Sequence, residues 1–96
     1  MVVTYKYFIG CDVGTIEELE NLVLEYGFYN NSTDIIIDEN RIVNKNYLNW
    51  SGWEEDLKRL SKDFPDRVFT CDFFSDEFNK WISCFKAGGF KVYKSN

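Results

Sequence analysis

The stretch Gly10-Cys11-Asp12-Val13-Gly14-Thr15 holds residue types that can do chemistry in two ways. An aspartate beside glycine-rich backbone can take Mg²⁺ and cradle a phosphate. A cysteine after a strand and near a helix start is placed for a lowered thiol pKa. Against both stands the absence of histidine. That removes the commonest general base and metal ligand, and most Ser/His and Cys/His designs with it. Cys11, Cys71 and Cys84 lie far apart with no CxxC spacing, so neither a metal site nor a disulfide framework is expected. The plain reading is a turn over Gly10 to Gly14 leading into a helix cap at Thr15. No catalytic residue, no metal and no cofactor is expected.

The same pattern, Gly-x-Asp-x-Gly-Thr, resembles the phosphate-binding hairpin of the sugar-kinase, chaperone and actin group. That group continues into a hairpin, where a helix starts at Thr15 here. Its fold also needs two large lobes and further nucleotide motifs, for which 96 residues are too few. An enzyme using Cys11 or this turn is the third-ranked hypothesis.

Carboxylates are the other grouping. Residues 1–40 carry eight acids (Asp12, Glu17, Glu18, Glu20, Glu25, Asp34, Asp38 and Glu39) against Lys6 alone. Residues 41–66 balance, and residues 67–96 are net basic, so the total of −5 is polarised along the chain. Glu17, Glu18, Glu20 and Glu25, flanked by Asp34, Asp38 and Glu39, are the candidate binding residues. Such a face can engage a basic groove, although solvated acidic helix faces are common. The negative total disfavours general nucleic-acid binding, so no direct nucleic-acid partner is expected.

These residues need elements to hold them. Val2 to Ile9 reads as a strand, with Tyr5, Tyr7 and Ile9 on one side and Thr4, Lys6 and Phe8 on the other. Thr15 and Glu18 have capping-box spacing. The helix expected over Ile16 to Tyr26 carries Ile16, Leu19, Leu22, Val23 and Tyr26 on one stripe, and Gly27 suits its C-terminal stop. Phe28 to Asp34 reads as a mobile Asn-rich loop. Ile35–Ile37 and Arg41–Val43 form a short hairpin around Asp38-Glu39-Asn40. Ser51 and Glu54 have a second capping-box spacing. The helix that follows repeats Trp53, Leu57, Leu60 and Phe64 and stops at Pro65. Strands over Arg67 to Phe74, Phe78 to Phe85 and Phe90 to Tyr93 complete a meander. The order β-α-β-β-α-β-β-β implies an α+β two-layer sandwich, a single domain over 1–96, with two helices on one face of a mainly antiparallel sheet. The uncovered face, with Trp81, Phe85, Phe73 and Tyr93 available to it, is a candidate homodimer or target interface.

A 45% hydrophobic, 19% aromatic composition suits a small domain that must fill its core with large side chains. No apolar run approaches the roughly 18–20 residues of a membrane span, so no membrane partner is expected. With no signal-peptide pattern and reduced thiols, a cytoplasmic protein is expected.

Trp53, Leu60-Ser61, Phe64-Pro65 and Phe69, followed by two more strands, resemble the YubB-type ferredoxin-like domains of small phage- and plasmid-borne proteins. There a helix ending in Leu-Ser-x-x-Phe-Pro runs into a strand. The resemblance covers about residues 50–90, and the Pro pair that commonly opens that helix is absent. It implies a ferredoxin-like sheet with two helices and a mobile-element origin, and carries no functional residues across. The leading expectation is a non-enzymatic acidic inhibitor of the anti-CRISPR or anti-defence type. It would block a basic nucleic-acid-binding surface of a host protein such as a CRISPR effector nuclease, in the host cytoplasm when phage-encoded. The alternative is a cytosolic immunity protein that neutralises a toxin.

Overall fold

The computed structural model describes residues 4–29, 35–75 and 80–95, with the side chains of the last three left aside. The elements are β1 (Tyr5–Cys11), α1 (Ile16–Glu25), β2 (Ile35–Asp38), β3 (Arg41–Asn44), α2 (Trp53–Asp63), β4 (Phe69–Ser75), β5 (Lys80–Lys86) and β6 (Gly89–Ser95). The centre of the expected Asn-rich loop, with Asp34, and the turn at Asp76-Glu77 lie outside the described residues.

Among the described residues the strands make one six-stranded sheet in the order β2-β3-β1-β4-β5-β6. Every pairing is antiparallel. β1 lies between β3 and β4, so α1 carries the chain past the position of β3 and α2 carries it past β1. Both helices bury their stripes on one face. Leu19, Leu22 and Val23 of α1 and Leu57 and Leu60 of α2 meet Tyr7, Ile9, Ile42, Phe69, Cys71, Phe73 and Phe85. Burying one leucine side chain stabilises by roughly 1.5–3 kcal/mol. Intrinsic helix preferences differ by only a few tenths of that per residue, so packing holds the helices. The result is the expected α+β two-layer sandwich.

Local corrections follow from where backbone bonds go. The expected turn over Gly10 to Gly14 starts later, because Gly10 and Cys11 pair with Thr70 and Phe69 as the end of β1. At α1 only half of the capping box forms. Thr15 Oγ1 accepts from the Glu18 N–H at 3.1 Å, but the Glu18 carboxylate accepts from Arg67 instead of reaching back. At its other end, Gly27 N–H donates to Leu24 O and Phe28 N–H to Val23 O, with Gly27 at φ 67°. This is the Schellman arrangement, which glycine's freedom at positive φ makes inexpensive. The second capping box does not form: Gly52 is the N-cap of α2 and no side chain bonds there. Asp56 accepts from Trp50 Nε1–H at 2.7 Å, tying the first turn of α2 to a core indole.

Phe28 and Tyr29 are not part of a loop surface. Both are buried. Tyr29, at φ 60°, donates its hydroxyl towards the carbonyls of Tyr7 at 3.1 Å and Ile42 at 3.2 Å. Asn44 closes β3 with its side chain: Oδ1 accepts from Tyr7 N–H at 2.7 Å, and Nδ2 donates to Tyr5 O at 3.0 Å and Asn46 O at 2.6 Å. The β5–β6 turn at Ala87-Gly88 has φ of 51° and 87°, the left-handed pair that a type I′ hairpin turn requires. Gly88 N–H donates to the buried Ser61 Oγ at 2.9 Å, docking that hairpin on α2.

No helix lies on the other face of the sheet among the described residues. Trp81, Phe73 and Phe85 are not on it. Trp53 of α2 packs on Phe73 at 4.7 Å and on Phe85 at 6.0 Å between ring centroids, and Trp81 stacks on Phe73 at 5.4 Å. Tyr93 pairs in register with Ile82.

Candidate functional site

The carboxylates of α1 lie opposite its buried stripe. Glu17, Glu18 and Glu25 are exposed and Glu20 is half-buried. Glu18 is engaged in the fold. Its carboxylate accepts from the Arg67 guanidinium, tying the first turn of α1 to the segment before β4. That bond holds the Arg67 pKa above its ordinary value. Glu17, Glu20 and Glu25 form no ion pair among the described residues. Leu24, 57% exposed, sits on the same outer surface, one turn from Glu20 and four residues before the buried Phe28.

α2 differs. Lys58 lies 3.2 Å from Glu54 and 3.7 Å from Glu55, and Arg59 lies 3.7 Å from Asp56. The three carboxylates of its first turn are matched on the helix itself, and Asp63 at its end accepts from the Tyr26 hydroxyl. α1 has no basic residue in its last turn, where Glu25 sits. A carboxylate there opposes the helix dipole and costs about 0.3–1 kcal/mol. The outer face of α1 therefore holds negative charge that no cation matches among the described residues.

The flanking acids do not all join this face. Asp38 ends β2 opposite Arg41, whose guanidinium lies 3.8 Å away. Glu39 is exposed in the β2–β3 turn at φ 59°. Its neighbour Asn40 lines a pocket with Cys11 to Ile16 and Leu19, which places that turn at the end of the molecule where α1 begins. Asp34 lies outside the described residues. The six predicted binding residues that are described thus divide into an α1 face, a turn beside its first residues, and Asp38 on the sheet edge.

The Gly10–Thr15 stretch is occupied with structural bonds. Asp12 Oδ1 accepts from Val68 N–H at 2.9 Å, and Asp12 N–H donates to Val68 O at 3.1 Å. Gly14 has φ 89°, and a Cβ there would come within 3.0 Å of Glu18 Oε1. Burial pushes the Cys71 thiol and the Tyr29 phenol up. Among the described residues no group of three or more His, Cys, Asp or Glu could hold a metal ion. No described helix is long and apolar enough to cross a membrane.

Sequence reasoning missed Phe74, Tyr47 and Arg41, which join Lys6 and Phe8 on the uncovered face of the sheet. Part of the signal was present in Lys6-x-Phe8, which alternates with the inward Tyr5, Tyr7 and Ile9. The cross-strand partners were not legible without the register. Comparison with protein-family models, curated proteins and solved structures finds no match.

Proposed function

We propose that this chain is a non-enzymatic inhibitor that binds another protein through the acidic outer face of α1. The observation that carries the reading is the contrast between the two helices. Lys58 and Arg59 of α2 match Glu54, Glu55 and Asp56, whereas Glu17, Glu20 and Glu25 of α1 have no cation among the described residues, and Glu25 is kept at the wrong end of the helix dipole. An exposed Leu24 among these carboxylates supplies apolar contact beside the charge. The partner that such a face suits is a basic groove, and the concrete form is the nucleic-acid-binding surface of a host nuclease such as a CRISPR effector. On this reading the chain is an anti-defence protein of a mobile element acting in the host cytoplasm. Strands β1 to β4 with both helices are read as a ferredoxin-like unit that the β5–β6 hairpin extends.

The reading is tested by adding the purified protein to a panel of purified CRISPR effector nucleases and following DNA cleavage. Inhibition that excess guide or target nucleic acid relieves is the expected result. Inhibition that no excess of nucleic acid relieves would rule out occlusion of the channel, and no inhibition across the panel would remove the CRISPR assignment.

A further inference from the structure

The uncovered face of the sheet has the opposite charge character to α1. The register puts Lys6, Phe8 and Gly10 of β1 on this face with Phe74, Asp72 and Thr70 of β4. Val43 and Arg41 of β3 flank Phe8 and Gly10. On the far side, Lys80 and Ile82 stand beside Phe74 and Asp72, and Lys91 pairs with Cys84. The cations Lys6, Arg41, Lys80 and Lys91 are answered there by Asp38 and Asp72, both of which lie against Arg41, at 3.8 and 3.4 Å.

Three rings stand between two cations across the middle of this face. The Arg41 guanidinium lies over the Phe8 ring, 4.7 Å from its centroid. Phe8 stacks on Phe74 at 5.6 Å and 22°. Tyr47, 43% exposed, meets Phe74 edge-on at 6.3 Å. Lys6 Nζ lies 5.3 Å from the Tyr47 centroid. A row of π faces set between cations is the surface that binds unpaired bases and their phosphates, because every base has a face to stack and every linkage a charge to neutralise.

We propose that this face binds single-stranded nucleic acid, with bases against the exposed Tyr47 and the outer edges of Phe8 and Phe74, and phosphates at Lys80 and Lys91. A second copy fits less well. A two-fold dimer through this face would set the row of cations against itself. The expectation of no nucleic-acid partner came from a total charge of −5, which averages two faces of opposite sign. The inference is independent of the role given to α1.

Fluorescence anisotropy of a labelled thymidine-rich strand of roughly a dozen nucleotides tests it at low and near-physiological salt. Saturable binding that weakens with salt is expected. Lys80→Glu with Lys91→Glu should weaken it roughly tenfold or more. Tyr47→Ala, at an exposed ring, should weaken it roughly fivefold or more with an unchanged melting temperature, and Glu25→Lys should not weaken it. The absence of saturable binding at low salt would overturn the proposal, as would wild-type affinity in the Lys80/Lys91 and Tyr47 variants. Displacement of the strand by polyglutamate as readily as by unlabelled strand would also overturn it, pointing to an acidic protein as the occupant.

Discussion

Asn44 does with a side chain what a continued strand would do with backbone. It satisfies Tyr7 N–H and Tyr5 O where β3 ends, while only 1% of it is exposed. Asn44→Ala would leave Tyr7 N–H without its partner, while Tyr5 O keeps the Leu48 N–H at 3.0 Å. One buried group left unpaired costs roughly 1–3 kcal/mol, so a loss of about 2 kcal/mol in urea unfolding is expected. Tyr7 carries a pH dependence. Burial pushes its phenol up from 10.0 to about 12, partly offset by the Trp50 N–H that donates to it. The folded state therefore favours the neutral phenol. Its contribution is fully present below pH 10 and is lost as pH rises towards about 12. Urea midpoints followed over that range should fall in the wild type, and fall less steeply in Tyr7→Phe.

At the scale of elements, order and type were legible because stripes and punctuation agree. Leu19, Leu22 and Val23 at helical spacing, Gly27, and Pro65 after Leu57 and Leu60 each state a local rule that the fold obeys. The covered face of β4 was not legible. One side carries Phe69, Cys71 and Phe73 and the other Thr70, Asp72 and Phe74, while β5 offers Trp81 and Phe85 against Ile82 and Cys84. With apolar residues on both sides, alternation cannot choose. Only the packing of Trp53 on Phe73 and Phe85 decides it. The two capping boxes show the same limit, since spacing does not say which partner a side chain takes. Thr15→Ala should cost about 1 kcal/mol. Ser51→Ala, at an exposed residue with no cap bond, should change stability by less than about 0.5 kcal/mol. Thermal melts of the two variants side by side check this directly.

For the whole molecule, the charge that looked polarised along the chain is polarised across the fold. The first helix carries unmatched carboxylates on one side, and Lys6, Arg41, Lys80 and Lys91 lie on the other. A total charge describes neither face. The acidic side was legible from Glu17, Glu18, Glu20 and Glu25, since helical periodicity sets them opposite the apolar stripe. What spacing could not show is that Arg67, forty-nine residues on, takes Glu18 out of the set. The central claim is that the remaining α1 carboxylates serve a partner and not the fold. The most direct measurement pairs a melting temperature with nuclease inhibition for the combined variant Glu17→Lys, Glu20→Lys and Glu25→Lys. Because Glu25 opposes the helix dipole, its reversal should return about 0.3–1 kcal/mol, roughly offsetting the loss of the favourable Glu17 in the first turn. The account predicts a melting temperature close to wild type with inhibition abolished, and a folded variant that still inhibits would contradict it.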